Sequence, residues 1–175
     1  VSLSTVREAL SQLMAEGLVT SEAHRGWIAA PVSADDLRDL TRVRIEIENM
    51  CLAWSIEAGN VEWETRVIGA AHRLSKTFRQ HRPGAQPESA WTAAHDEFHV
   101  ALVSACQSPR LLQIRHQLYE QSERYRKLEL ARPTSRDPDA EHNRLVQAAL
   151  ARDTNKATRL MRNHLLLTAE NILNA

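Results

Sequence analysis

Apolar positions are spaced in two different ways along the chain. In residues 1–31, Val6, Leu10, Leu13 and Met14 recur at helical intervals, with Ser4 placed as N-cap and Gly17 as the C-terminal stop. This predicts one helix of about three turns. The following stretch, GLVTSEAHRGWIAAP, changes to short apolar pairs, Leu18-Val19 and Trp27-Ile28, around a polar turn containing Arg25-Gly26. That pattern suits a two-stranded hairpin. A helix plus a hairpin cannot bury enough apolar area to fold alone, so the segment must lean on something else. Val1 is not an initiator Met, and the expectation is that an N-terminal stretch completing a three-helix core is absent from this sequence.

From Ser33 onward the spacing is helical almost throughout. Ser33 caps a segment with acidic residues in its first turn, apolar residues at Leu37, Leu40, Val43, Ile47, Met50, Cys51 and Trp54, and a stop at Gly59. Further helices are predicted over 61–81, 88–106, 109–131, 137–152 and 154–174, bounded by Pro83-Gly84, Ser108-Pro109, Asp137-Pro138 and Asp153-Thr154. Only HRPGAQPES reads as a loop of any length. The fold class is therefore mainly α. A partial N-terminal winged helix, recognition helix plus β-hairpin wing (1–31), precedes an antiparallel bundle of about six helices (32–175).

Composition narrows the classes of function. Lys plus Arg and Asp plus Glu both number 22 in 175 residues, so the totals announce no polyanion partner. No apolar run approaches a membrane span and no leader pattern opens the chain, which makes a cytoplasmic protein without membrane contact the expectation. Cys51 and Cys106 are far apart in sequence and form no C-x-x-C; they read as small buried hydrophobes rather than as a disulfide or a zinc-thiolate site.

The histidines change the picture. HDEFH, residues 95–99, sets His95 and His99 four apart and so on one side of a helix. His142 and His164 are equidistant from Asp153, the turn between the last two predicted helices, and residues equidistant from such a turn come level across an antiparallel pair. Inward-projecting ligands of this kind are how helix bundles build metal sites. Asp96, three before His99, is a rival ligand to His95. Nitrogen-rich coordination favours Zn, Ni, Cu or Fe over Mg or Ca, with Zn expected and Ni the alternative. His24, His72, His81 and His116 lack matching partners and read as solvated or structural. Chance pairing among eight histidines is the competing explanation.

STVREALSQLMAEGLV followed by RGWIAAP resembles the recognition helix and wing of GntR-family transcription regulators. DLTRVRIEIE, HDEFHVALVSACQSPRLL, AEHNRLVQAAL and ATRLMRNHL resemble the all-helical effector domain of the FadR-type branch, the FCD domain. The likeness covers essentially the whole chain. It implies a divalent metal held by His95, His99, His142 and His164, where many members carry Asp at the position of His95. It implies an effector arginine at Arg44, whose planar fork suits a carboxylate and whose alternative is a helical pair with Glu48. Arg124 and Arg126, around Tyr125, are further effector candidates, with a solvated helix face as the other reading. The wording WTAAHDEFH, ACQSP and RYR is similar to a sub-branch that senses short dicarboxylates such as glutarate.

For DNA, the resemblance implies contacts from Ser2, Ser4, Thr5 and Arg7 at the start of the recognition helix and from Arg25 and Gly26 at the wing tip. Leu3 stands where many members have an arginine, which removes the commonest specific donor to guanine. Arg7 has a neighbouring acid as its alternative partner, and Trp27 reads as hairpin core. The expected function is a homodimeric, non-enzymatic regulator of a palindromic operator, modulated by metal and a small carboxylate. A metal-dependent hydrolase or lyase, or a non-catalytic metal-binding bundle, are the alternatives.

Overall fold

The structure, a computed structural model, describes residues 2–23, 25–80, 89–129 and 137–174. His24, His81 and the stretch HRPGAQPES up to Glu88 lie outside the described residues, so the readings placed on them have no counterpart here. The first helix, α1, runs Leu3–Ala15 and is capped by Ser2, whose Oγ accepts from the Thr5 amide at 3.2 Å. The cap is thus Ser2 and not Ser4: Ser4 already lies inside the first turn, and the extended backbone of Ser2 turns its hydroxyl toward an amide that no carbonyl serves. Strands β1 (Val19–Glu22) and β2 (Gly26–Ala29) pair antiparallel, with Val19 opposite Ala29 and Glu22 opposite Gly26. Trp27, opposite Ser21 in the hairpin, is half-buried.

Six helices follow among the described residues: α2 (Ala34–Ala58), α3 (Val61–Gln80), α4 (Ser89–Val103), α5 (Pro109–Glu129), α6 (Pro138–Leu150) and α7 (Thr154–Leu173). Ser33, Asp137 and Asp153 each accept the amide three residues on in the helix they open, at 2.9–3.1 Å. The predicted boundaries differ by a few residues at the ends; α4 stops at Val103 because Ser104 and Cys106 turn back onto Ala101 and Val103. The long α2 lies centrally, with α7, α5 and α4 packed around it, while α3 bridges α4 and α6.

The bundle core joins Ile45, Leu52 and Ile56 of α2 to Val67 and Leu74, Phe98 and Leu102, Leu145, and Met161 of the surrounding helices. On α2 the buried face is displaced from the most apolar one. Val43, Met50 and Trp54 remain more than 40% exposed, whereas Thr41, Arg44, Glu48 and Ser55 are buried. A helix that turns polar residues inward leaves the interior with groups that need partners. Cys51 and Cys106, distant in sequence, are both buried in this core, and their thiols interact.

Candidate metal and effector centre

Helix α4 supplies His95 and His99 one turn apart, and the α6–α7 hairpin supplies His142 and His164. All four are buried, and one ring nitrogen from each falls within 4.8 Å of the others. Ring centroids are 4.6 Å apart for His95–His99, 4.8 Å for His142–His164, and 5.3 Å for both His95–His142 and His99–His164. Two observations set the register. The hairpin turn at Asp153 brings the α6 and α7 rings level, and Phe98, fully buried, packs between His99 and His142 at centroid distances of 5.2 and 4.9 Å. Asp96 is half-buried and is not among the four residues whose donors converge. His72 and His116 are exposed.

The donor set fits a transition metal. His99 is 1% exposed, yet neither of its ring nitrogens has a hydrogen-bond partner, and Nδ1 of His95 is likewise unmatched. Burial lowers the pKa of both rings well below the usual range; for His95 the Arg126 guanidinium is the next cause, and for His99 the charge of His95. They are therefore held as neutral imidazoles, the form that ligates. Nδ1 of His164 lies 2.9 Å from Oε2 of Glu141, which orients the ring as carboxylates orient metal-bound histidines. Four nitrogens around Zn sit roughly 3.3–3.4 Å apart when metal–nitrogen bonds are about 2.0–2.1 Å, so closure needs only a modest contraction.

Charged residues border the rings. Trp91, four before His95, stacks on it at 5.1 Å, and the Arg126 guanidinium lies 5.1 Å over the Trp91 ring. Arg126 is buried and paired with Glu123 through Nε at 2.7 Å, so the solvated-face reading of Arg126 is overturned: its stem runs inward from α5. Arg44 donates to Ser122 Oγ at 2.6 Å, lies 5.0 Å over the Tyr119 ring, and sits 3.5 Å from Glu48. Glu48 is fully buried and takes its shorter bond, 2.8 Å, from Arg115 Nε. Arg115, Tyr119, Trp91 and Glu123 were not legible as site residues in the sequence. For Arg115, Tyr119 and Glu123 the one available signal was recurrence at helical spacing with Ser122 and Arg126 along α5, and for Trp91 it was a place one turn before His95 on α4.

Arg124 goes elsewhere. Its guanidinium donates to the main-chain carbonyl of Ala30, at the end of the hairpin, so it neither borders the histidines nor lies on a free solvated face. It sits on the side of α5 opposite Tyr119 and Arg126, because a helix turns 100° per residue. Ser2, Ser4 and Thr5 gather their hydroxyls at the exposed start of α1, at 2.7 and 2.8 Å from the Ser2 Oγ. Arg7 and Gly26 are exposed, and Arg25 is exposed with a 3.3 Å contact to Glu22.

The FCD domain family model matches residues 39–167, which contain every residue of this centre. The chain belongs to the FCD-domain family of transcription regulators. It is 44% identical over 168 residues to the HTH-type transcriptional regulator BphR of Paraburkholderia xenovorans, spanning 94% of this chain and 68% of that protein. It is 38% identical over 171 residues to the HTH-type transcriptional repressor GlaR of Escherichia coli, spanning 95% and 77%. The fold is shared with E. coli McbR/YncC at TM-score 0.85 and 18% identity, covering 99% of this chain and 86% of that one. It is also shared with a GntR regulator from a Rhodococcus species at 0.78 and 22%, covering 100% and 82%. This FCD-domain protein is thus a transcription regulator that shares its fold with GntR regulators, and no described helix is long and apolar enough to cross a membrane.

Proposed function

We propose that this regulator binds a divalent transition metal, Zn in the first instance, through His95, His99, His142 and His164, and senses a small carboxylate beside it. The observation that carries this reading is the charge of the interior. Among the described residues, Arg44, Arg115 and Arg126 are buried with two buried carboxylates, Glu48 and Glu123, one positive charge in excess among these five groups before the half-buried Asp96, whose charge also acts on Arg126, is counted. Nε of Arg44, Nη1 of Arg126, Nε1 of Trp91 and the Tyr119 hydroxyl are buried donors without partners. Unpaired buried charge and unmet donors are costly, so an anion is the natural complement. A bound divalent metal raises the positive excess and favours a dicarboxylate such as glutarate over a monocarboxylate. When bound, the metal supplies an anchoring charge for one carboxylate, while Arg44 and Arg126 are placed to take the other.

Residues 1–31 form the DNA-contacting unit in this proposal, with Ser2, Ser4, Thr5 and Arg7 at the helix start and Arg25 and Gly26 at the wing. Two copies in a cytoplasmic homodimer read the two halves of a palindromic operator, and the effector shifts their placement. A hydrolase using the same histidines has less support. Glu97 is committed to Arg73 on the surface at 2.9 Å, and Glu141 to His164, which leaves neither free as a base beside the metal. The deciding experiment is elemental analysis of the full-length protein, followed by operator binding with and without glutarate and other short dicarboxylates. Stoichiometric Zn and an effector-dependent change in DNA affinity of about 5- to 150-fold are expected. A metal-free, dicarboxylate-indifferent protein that still binds DNA would end this reading.

A further inference from the structure

Helix α5 has two working faces. Arg115, Tyr119, Ser122, Glu123 and Arg126 recur at helical spacing on the side toward the histidines, where they exchange the contacts described above. Gln121, Arg124 and Tyr125 project from the other side, because one or two residues along a helix rotate a side chain away from that stripe. Two of the three end on the N-terminal segment and the third on the start of α2. Gln121 Nε2 donates to the carbonyl of Glu16, which caps α1, at 2.8 Å. Arg124 donates to the carbonyl of Ala30 just beyond β2. The Tyr125 hydroxyl accepts from the Ser33 amide at 3.3 Å and donates to Asp36, in the first turn of α2.

These grips hold the junction between α1 and the hairpin, the end of the hairpin and the start of α2, and two of the three acceptors are main-chain carbonyls. The unit has little else to hold it: α1 buries no residue, and neither α1 nor either strand packs broadly on a bundle helix. The Gln121 contact is built in at close range. A Cβ at residue 17 would lie 2.7 Å from Gln121 Nε2, and Gly17 also holds φ +72°, so glycine satisfies both the turn after α1 and the approach of the amide.

We infer that α5 is the coupling element of the regulator, and that Gln121 and Arg124 are positioning residues that transmit the state of the polar interior to the helix–hairpin unit. The inference rests on the ligand reading given above. An anion taken up by the unpartnered donors of Arg126 and Arg44 draws on guanidinium groups that also hold Glu123 and Ser122, both on α5. A helix moves as a rigid rod, so a shift on one face appears on the other, where it is read by bonds to backbone rather than by packing. The same grips set the pose of the unit whatever side chains it carries.

The test uses full-length protein, Zn and glutarate as probes, and amide hydrogen exchange over residues 16–32 as readout. Binding of each probe is measured first by calorimetry. In the native protein, loading should change protection in 16–32 by about fivefold or more. In the Gln121→Ala/Arg124→Ala double variant, both probes should bind with unchanged affinity while that loading-dependent change falls to near nothing, and Arg124→Lys, which retains a donor, should restore part of it. A purely structural role would alter baseline protection but not the difference made by loading. Binding without any change in 16–32, or an undiminished change in the double variant, overturns the inference alone. Failure of both probes to bind overturns the ligand reading, and this inference with it.

Discussion

Nδ1 of His164 on α7 lies 2.9 Å from Oε2 of Glu141 on α6, twenty-three residues earlier. The neighbour of Glu141 in sequence, His142, is itself one of the four converging rings. One turn of α6 thus contributes both a ring to the cluster and the carboxylate that fixes another ring. Glu141→Gln removes the charge but keeps the shape. Metal affinity should fall about 10- to 100-fold, measured by Zn titration against a competing chelator, with the helical circular dichroism unchanged.

His99 stands at the centre of the cluster, with both nitrogens unmatched and its ring in contact with Phe98 and the other three histidines. His99→Ala should lower Zn occupancy and the response of operator binding to glutarate together. Loss of metal with an intact effector response would show that the carboxylate is not anchored through the ion.

The metal-free protein should lose stability on mild acidification. The folded-state pKa values of His95 and His99 are lowered, with burial as the first cause, so below about pH 6.5 the unfolded chain takes up protons that the folded one refuses. Stability is therefore fully present above pH 6.5 and declines as pH falls toward the folded pKa, by about 1.4 kcal/mol per pH unit for each ring. The urea midpoint at pH 5 should lie clearly below that at pH 7. An unchanged midpoint would mean that the rings are not held neutral.

Gly59 follows α2, where an added Cβ would sit 2.4 Å from the Trp63 ring and 2.7 Å from the Ser55 carbonyl. The Trp63 ring is buried, donates through Nε1 to the Leu102 carbonyl at 3.2 Å, and carries the Arg152 guanidinium 4.9 Å above it. It has no easy direction in which to yield. Gly59→Ala should cost about 1–3 kcal/mol, read as a lowered midpoint in chemical denaturation.

The Cys51 thiol is pushed up to about 12, first by burial and then by the charges of Cys106 and Glu48. Alkylation with iodoacetamide at pH 8 should leave Cys51 unmodified in the folded protein and proceed only after unfolding, as mass spectrometry of the two states will show. Rapid native labelling would place this thiol outside the core.

Most elements were legible because their signals are local. The caps at Ser33, Asp137 and Asp153 and the stop at Gly59 act within one turn, and the equal spacing of His142 and His164 about Asp153 needs only the geometry of a hairpin. The cap of α1 was misplaced by two residues because Ser2, Ser4 and Thr5 offer three similar hydroxyls within one turn. Arg124 and Arg126 are separated by one residue and look alike in sequence. The 200° between them sends one to the Ala30 carbonyl and the other to the face of Trp91, which stacks on His95.

What the chain determined by itself is its helices, its hairpin and the two histidine pairs, since periodicity and capping depend on neighbours in sequence. Which face of α2 turns inward, and hence that Arg44 and Glu48 are buried while Val43 and Trp54 are exposed, was decided only when α5 and α7 packed against it. The same is true of Arg115, 67 residues from the carboxylate it meets. Burial and charge pairing are properties of the packed whole: a guanidinium has no partner until the fold brings one, and no local pattern records which it will be.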